Sequence, residues 1–118
     1  MEIPISEIID RISILRLKIE NGSNPSFKEE LSVYEKALEQ FRKRGIRIKS
    51  EWLEELYMIN KYQWGLESSL REMRENKSEL KELGKLYIQI QISNKKRMAV
   101  KNQITEETGS GFKDIKVN

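Results

Sequence analysis

Apolar side chains recur every three or four residues through four stretches of the chain, and short clusters of turn-forming residues separate these stretches. This spacing places the apolar residues on one face of an α-helix. The clusters contain the glycine, proline and asparagine residues that commonly end helices. The predicted helices cover residues 6–20, 26–44, 50–75 and 78–107, and a tail follows over residues 108–118. We expect a single all-α domain, residues 1–118, of four helices in two antiparallel hairpins.

The fourth predicted helix contains a segment with the alternation of a β-strand. Residues Ile88–Ile92 alternate isoleucine with glutamine, but no partner strand is predicted elsewhere, so we predict a helix that is apolar on more than one side. The third helix also has a second stripe, about 100° from its core-facing stripe, formed by Leu53, Tyr57, Asn60 and Trp64. Helices that are apolar on two sides need two packing partners. We therefore expect a homo-oligomer, either a dimer or a tetramer.

The composition excludes several classes of catalyst. The chain of 118 residues has no His and no Cys, so disulfides, the usual zinc and haem ligands, and Ser-His or Cys-His catalysis are excluded. A net charge of +3 from 22 basic and 19 acidic residues is balanced, and it does not favour nucleic acid as a partner. We expect a binding or structural protein with no catalytic residues, no metal and no cofactor.

A metal-dependent nucleotide hydrolase is the catalytic alternative. Helical pyrophosphohydrolases need pairs of Glu residues that face inward and hold magnesium together with an acidic pair on the next helix. Glu54 and Glu55 form such a pair, but they lie off the apolar stripe, and no matching acidic pair follows. There is also no glycine-rich phosphate loop. The sequence therefore favours a protein that is not an enzyme.

The N-terminal residues and the lengths of the apolar runs indicate where in the cell the protein is located. The first residues lack the basic and apolar regions of a signal peptide, and no apolar run approaches the roughly 20 residues of a membrane span. We expect a cytoplasmic protein that does not enter a membrane.

The third helix presents polar and aromatic side chains that suit a planar, polar ligand. Asn60, Trp64, Glu67 and Arg71 follow one another at helical spacing. A Trp ring offers a stacking surface, Asn and Glu offer hydrogen bonds, and Arg binds phosphate through two parallel hydrogen bonds. The alternative is that Trp64 and Tyr57 pack against another helix.

The apolar stripe of the fourth helix becomes polar toward its C-terminal end. After Tyr87 and Ile90, the same face continues with Asn94, Arg97 and Lys101. A buried polar group without a partner costs roughly 1–3 kcal/mol. These side chains therefore pair with acidic residues of the first helix, face a ligand, or project into water.

The polar face of the first helix is the third candidate region. Glu7, Asp10 and Arg11 lie on or beside a charged face that can be an exposed surface with local ion pairs. Ile14 and Leu17 share this face, and apolar residues there indicate contact with another element or a ligand. We assign Glu7, Asp10 and Arg11 to a ligand site or an interface.

Residues 7–15 have the sequence Glu-Ile-Ile-Asp-Arg-Ile-Ser-Ile-Leu, and Leu17 and Lys18 follow. This segment resembles the opening signature Glu-Leu-Ile-Asp-Lys-Leu-Thr-Ile of a family of short helical proteins from bacteria and tailed phages. Residues 56–60, with the Trp, Glu and Arg that follow, are similar to the middle of the same family. The segment from Tyr87 to Ser110 resembles its closing part. The basic loop over residues 44–49 and the lack of a final aromatic residue depart from the family.

The resemblance implies a function for the polar positions. Bacterial members look like companions of surface-polysaccharide genes, and phage members resemble the helical sponge proteins that sequester nucleotide immune signals. We therefore expect non-catalytic capture of a small phosphate-bearing ligand, of the cyclic dinucleotide or cyclic ADP-ribose type, in the cytoplasm of a phage's host. The expected ligand-binding residues are Asn60, Trp64, Glu67, Arg71, Tyr87, Asn94, Arg97 and Lys101.

The alternative function is a helical adaptor or an accessory protein of polysaccharide assembly that binds no nucleotide. In that case the same residues form a protein interface. A substitution distinguishes the two hypotheses: if Arg97 binds phosphate, we expect Arg97→Ala to weaken nucleotide binding about tenfold with little change in melting temperature.

Overall fold

The computed structural model describes residues 2–22, 24–77 and 79–111, and these residues form four helices and no strand. The helices are α1 (Ile5–Asn21), α2 (Pro25–Lys43), α3 (Ser50–Glu75) and α4 (Leu80–Thr108). The prediction of an all-α fold with four helices is confirmed for the described residues. A turn at Asn76 and Lys77 lies between the third and fourth helices, while Ser78 and residues 112–118 of the predicted tail lie outside the described residues.

Two helices begin without the side-chain caps that nearby serine residues could provide. Ser6 and Ser50 are suitable N-cap residues, but Pro4 and Lys49 occupy the N-cap positions of α1 and α3 without a side-chain capping bond. Ser6 is instead buried inside α1, where its hydroxyl accepts a hydrogen bond from Thr105 of α4 at 3.3 Å. Ser6 therefore joins two helices rather than starting one.

Helix α1 is the centre of the fold, because it packs against α2, α3 and α4, while α3 also packs against α4. The core is formed by apolar side chains that are at most 9% exposed: Ile5, Ile8, Ile9, Ile12, Leu38, Phe41, Trp52, Leu56, Val100 and Ile104. Burial of each large side chain contributes about 1.5–3 kcal/mol relative to exposure. Four of the ten residues belong to α1, so α1 fixes the positions of the other helices.

Helices α3 and α4 pack side by side along their length. Three polar contacts mark this pairing from one end to the other: Lys49 with Glu107 at 2.7 Å, Ser93 with Gln63 at 3.3 Å, and Arg74 with Tyr87. We divide the α3–α4 pair into two halves. The base is the half against which α1 packs, and the tip is the half that ends at the turn of Asn76 and Lys77. Leu70 is the only buried residue described between residues 61 and 92.

The tip exists because α1 is too short to cover the longer helices. At 1.5 Å per residue, the 17 residues of α1 span about 26 Å, whereas the 29 residues of α4 span about 44 Å. The segment Ile88–Ile92 lies within α4, which confirms the predicted helix there, and its two terminal isoleucines are 58% and 49% exposed. Within the described residues, none of the helices combines the length and apolarity that crossing a membrane requires.

Candidate functional site

A buried carboxylate lies at the contact of α1, α3 and α4. Asp10 is completely buried, and Arg97 binds both of its oxygens, with Nε 3.0 Å from Oδ1 and Nη2 2.5 Å from Oδ2. Asn60 donates a third hydrogen bond, from Nδ2 to Oδ1, at 3.0 Å. Because a buried charge is tolerated only when it is paired and hydrogen-bonded, these contacts explain why an Asp occupies the centre of the fold.

Ser13 completes this cluster of polar side chains. Its hydroxyl accepts a hydrogen bond from Asn60 Nδ2 at 2.7 Å and donates one to the backbone carbonyl of Asp10 at 2.6 Å. We name the four residues Asp10, Ser13, Asn60 and Arg97 the Asp10 network. No buried side-chain nitrogen or oxygen in the described residues lacks a hydrogen-bond partner. The network therefore adds specific, fully satisfied contacts between three helices.

A second ion pair lies beside the Asp10 network. Lys101 Nζ is 2.7 Å from Glu7 Oε2 and 3.7 Å from Asp10 Oδ2. Burial raises the pKa of Glu7, but the hydrogen bond and the charge of Lys101 outweigh burial, and the pKa is lowered overall from its usual 4.5. The hydrogen bonds to Asp10 raise the pKa of Arg97 above its usual value. Of the three outcomes considered for Arg97 and Lys101, pairing with acidic residues of α1 is the one observed.

Four of the predicted ligand-binding residues line one cleft between α1, α3 and α4. The cleft has a volume of about 210 Å³, and its lining is Ile14, Leu17, Asn60, Gln63, Trp64, Glu67 and Arg97. We name it the Trp64 cleft. It combines a half-buried aromatic ring, two amides, a carboxylate and a guanidinium with two apolar side chains of α1. Its two formal charges, on Glu67 and Arg97, are of opposite sign.

A second cleft lies on the other side of Ile14, between α1 and α2. It measures about 310 Å³, and its lining is Glu7, Asp10, Arg11, Ile14, Leu15, Lys18, Glu30, Tyr34 and Arg97. We name it the Tyr34 cleft, because Arg11 donates a hydrogen bond of 2.6 Å to the Tyr34 hydroxyl and its guanidinium lies 5.4 Å from the ring centre. The three residues predicted on α1 all line this cleft. Ile14 and Arg97 line both clefts.

The other predicted residues lie outside the two clefts. Arg71 is exposed and bonds Ser68 of its own helix at 3.1 Å. Tyr87 is 40% exposed and contacts Arg74, whose guanidinium lies 5.5 Å from the ring centre. Asn94 is exposed, and Lys101 is bound to Glu7 as described above. The structure therefore divides the predicted set between two clefts at the base, the ion pair of Lys101 with Glu7 beside them, and isolated positions nearer the tip.

Two residues of the site, Ser13 and Gln63, are not predicted by the sequence pattern. Gln63 continues the apolar stripe of Trp52, Leu56 and Ile59 at helical spacing. Gln63 instead lines the Trp64 cleft, where its amide donates a hydrogen bond to Glu67 at 3.3 Å. An amide within an apolar stripe was the available signal for Gln63. The apolar residues noted on the polar face of α1 are explained, because Leu17 is 2% exposed and Ile14 separates the two clefts.

The arrangement of carboxylates gives no candidate metal site. Within residues 2–22, 24–77 and 79–111, no group of three or more acidic side chains is placed to hold a metal ion. Glu54 and Glu55, the pair considered for a hydrolase, are exposed on α3. The chemistry available in the Trp64 cleft is stacking, hydrogen bonding and pairing with one guanidinium, that of Arg97. The Tyr34 cleft adds the cationic groups of Arg11 and Lys18.

Comparison with known proteins provides no relative from which a role can be transferred. The chain matches no family model, no curated protein and no solved structure.

Proposed function

We propose that the protein is a non-catalytic binding protein that holds one planar base and one phosphate group of a small nucleotide ligand in the Trp64 cleft. The observation that carries the proposal is the convergence of Asn60, Trp64, Glu67 and Arg97 on a single cleft. Trp64 stacks on the planar group, and Asn60 and Glu67 bind its polar edge. A cyclic dinucleotide or a cyclic ADP-ribose isomer has this chemistry, and its capture is the action of a phage sponge protein.

Arg97 is the phosphate-binding residue of this proposal. Its pair with Asp10 uses Nε and Nη2, so Nη1 takes no part in that pair. The side chain is 24% exposed and borders both clefts. A guanidinium held in place by a buried carboxylate loses little conformational entropy when it binds a ligand. Asp10 thus orients Arg97 for the ligand, and its carboxylate neutralises part of the positive charge of Arg97.

The roles of the remaining predicted residues change accordingly. Lys101 is 16% exposed and paired with Glu7, so we assign it to holding α4 against α1 rather than to phosphate. Arg71, Tyr87 and Asn94 lie nearer the tip and touch the part of a ligand that extends beyond the cleft. We propose no catalytic residue, metal or cofactor, and we place the protein in the cytoplasm, away from membranes and nucleic acid.

We also infer that the helices form two antiparallel hairpins and that the chain is a homo-oligomer. Along α3 and α4, contacts nearer the end of α3 involve residues nearer the start of α4. In α1 and α2, Arg11 contacts Tyr34, and Lys18 lies 5.5 Å from the Phe27 ring centre, which is the same reversed order. Exposed apolar side chains on α3 and α4 support an oligomer.

Calorimetry with purified protein tests the ligand. We expect at least one member of a panel of cyclic dinucleotides and cyclic ADP-ribose isomers to bind with a Kd below about 10 μM, which is roughly −7 kcal/mol. Trp64→Ala weakens that binding about tenfold or more, because stacking on an aromatic ring is worth about 1–3 kcal/mol per base. Tyr62→Ala is the matched control, since Tyr62 is a 58% exposed aromatic residue of the same helix that lines neither cleft.

Equal affinities of the wild-type protein and Trp64→Ala would place the ligand elsewhere and contradict the proposal. If no member of the panel binds the wild-type protein, the second candidate, a helical interaction protein, replaces it. The observation that favours this candidate is the group of apolar side chains exposed by 49–63% on α3 and α4: Met58, Tyr62, Ile88 and Ile92.

A further inference from the structure

The Trp64 cleft and the Tyr34 cleft adjoin each other at α1. Both clefts are lined by Ile14 of α1 and by Arg97 of α4. The Trp64 cleft, at about 210 Å³, is smaller than the roughly 300–1,000 Å³ that is typical of small-molecule sites. Together with the 310 Å³ of the Tyr34 cleft, it falls within that range. The two clefts therefore have the size of one ligand site that crosses Ile14.

The Tyr34 cleft contains the same kinds of chemical group as the Trp64 cleft. Its aromatic ring is that of the half-buried Tyr34, and the guanidinium of Arg11 lies 5.4 Å from the centre of this ring. The hydrogen bond of 2.6 Å from Arg11 to the Tyr34 hydroxyl holds the two groups together. Planar bases stack on aromatic rings and on guanidinium groups alike. Each cleft thus offers a surface on which one base can stack, and Arg97 lies at the boundary between the two clefts.

Two of the three carboxylates that line the Tyr34 cleft are neutralised by cations of α4. Asp10 is bound by Nε and Nη2 of Arg97, and Glu7 Oε2 lies 2.7 Å from Lys101 Nζ. The third carboxylate belongs to Glu30, which is exposed on α2, where the high dielectric constant of water weakens its repulsion of an anion. A phosphate group in this cleft therefore meets little repulsion from the three carboxylates.

Arg11 and Lys18 are the cations of the Tyr34 cleft that remain for a phosphate group. The side chain of Arg11 is 45% exposed, and its Nε lies 3.4 Å from Glu7, a longer contact than the one that Lys101 makes. The ammonium of Lys18 lies 5.5 Å from the centre of the Phe27 ring, and a contact with a neutral ring leaves the positive charge uncompensated. Both cations can therefore form charge-assisted hydrogen bonds to a phosphate group.

We propose that the two clefts together bind one dinucleotide, with one base in each cleft and one phosphate at Arg97 on the boundary between them. The first base stacks on Trp64, and the second stacks on the surface formed by Tyr34 and Arg11. The second phosphate binds Lys18. A cyclic dinucleotide has two bases and two phosphates, whereas a cyclic ADP-ribose isomer has one base. This inference rests on the proposed function and narrows its ligand to the dinucleotide class.

Calorimetry with the cyclic dinucleotides of the panel and with their component 5′-mononucleotides tests whether one ligand spans both clefts. We expect the tightest cyclic dinucleotide to bind as one molecule per chain and about tenfold or more tightly than its mononucleotides, because only the dinucleotide places a base in each cleft. Equal affinities, or two cyclic dinucleotides per chain, would mean that the two clefts act independently and would overturn this inference.

Substitutions in the Tyr34 cleft test its part in binding the same cyclic dinucleotide. We expect Arg11→Ala to weaken binding about tenfold or more, because it removes a stacking surface and a cation. Lys18→Gln weakens binding as well and leaves the hydrogen bond between Arg11 and Tyr34 in place, so it covers the case in which Arg11→Ala disturbs α2. Arg16→Ala is the matched control, since Arg16 is an exposed arginine of the same helix that lines neither cleft.

The outcomes distinguish this inference from the proposed function. If Trp64→Ala weakens the binding of a cyclic dinucleotide while Arg11→Ala and Lys18→Gln bind it as tightly as the wild-type protein, the Trp64 cleft remains the site and the inference of a two-cleft site is wrong. Binding of a cyclic ADP-ribose isomer alone has the same consequence. If no member of the panel binds the wild-type protein, the proposed function is wrong and this inference is wrong with it.

Discussion

The base and the tip of the molecule use the same two helices in different ways. At the base, α1 covers α3 and α4, and polar residues such as Asn60 and Arg97 are tied into the Asp10 network. At the tip, α3 and α4 pack mainly on each other, and a single residue described between positions 61 and 92, Leu70, is buried. The same kind of side chain, an arginine or an aromatic residue, thus has a structural partner at the base and an exposed position at the tip.

This difference shows that a polar residue on a helix face can either stabilise the fold or remain exposed with little effect on it. Asn60 and Arg97 are needed for the fold whether or not a ligand binds, because Asp10 is buried against them. Arg71 at the tip has one local contact, with Ser68, so its removal leaves the fold unchanged. A substitution can therefore test function cleanly at the tip and on Trp64, but at the Asp10 network it tests stability first.

The largest expected effect is the destabilisation caused by Arg97→Ala. Arg97→Ala deprives the buried Asp10 of its bidentate partner and leaves Asn60 and the more distant Lys101 beside it. Loss of one partner of a buried ion pair costs about 3–5 kcal/mol. At about 4 °C per kcal/mol for a domain of this size, the melting temperature falls by about 12–20 °C in a thermal scan. This corrects the expectation from sequence of little change in melting temperature, since the pairing with Asp10 makes Arg97 a structural residue.

The tip provides the matched control for this prediction. Arg71→Ala removes the same side chain from an exposed site, where substitutions usually change stability by no more than about 0.5 kcal/mol. Equal losses for Arg97→Ala and Arg71→Ala would contradict the division of the molecule into a base and a tip.

Leucine truncation on the two halves gives the next largest effect. Leu56 at the base is completely buried, so Leu56→Ala costs about 2–5 kcal/mol through lost burial and a cavity. Leu83 at the tip is half-buried, and Leu83→Ala costs less than half as much. Urea denaturation of both variants measures the free energies of unfolding. A cost for Leu83→Ala as large as that for Leu56→Ala would mean that the tip is packed as firmly as the base.

The sequence was a good guide to the helices and to one cleft, for a physical reason. Periodicity reports which side chains share a face, and Asn60, Trp64 and Glu67 share a face of α3 that lines a single cleft. Periodicity does not report how far a neighbouring helix extends along that face. Tyr87, on the line assigned to the core of α4, is therefore 40% exposed, while the buried residues of α4 are Ser93, Val100, Ile104 and Thr105.

The pairing of charges between helices also could not be predicted from the sequence pattern. The sequence left open whether Arg97 and Lys101 pair with Glu7 or Asp10, because residues 87 and 94 positions apart are brought together only by the tertiary fold. Whether the cleft binds a ligand stays a prediction.

A smaller, stabilising effect is expected at the tip from Gly84→Ala. Gly84 lies inside α4, and a Cβ there meets no atom within 4 Å. Alanine is favoured over glycine in a helix interior by about 0.5–1 kcal/mol, because glycine loses more backbone entropy on folding. Thermal denaturation should show a rise of about 2–4 °C, and amide exchange around residue 84 should slow. A fall in stability would show that another part of the protein approaches Gly84 closely.

The smallest expected effect is the pH dependence that Glu7 gives to the base. Its pKa is lowered in the folded state from the usual 4.5, because the favourable contacts with Lys101 outweigh the opposing effect of burial. The folded state therefore binds the Glu7 proton less readily than the unfolded state, and the stability due to Glu7 is present above about pH 4.5 and is lost as the pH falls through the lower, folded pKa. Glu7→Gln removes this contribution, about 0.2–1 kcal/mol for a partly exposed pair. Urea denaturation at pH 7 should show the variant less stable than the wild-type protein, and the difference should shrink as the pH is lowered below 4.5, whereas Glu29→Gln, at an exposed position of α2, should match the wild-type protein throughout. A Glu7→Gln difference that does not shrink with falling pH would show that Glu7 stabilises the base by packing rather than by its charge.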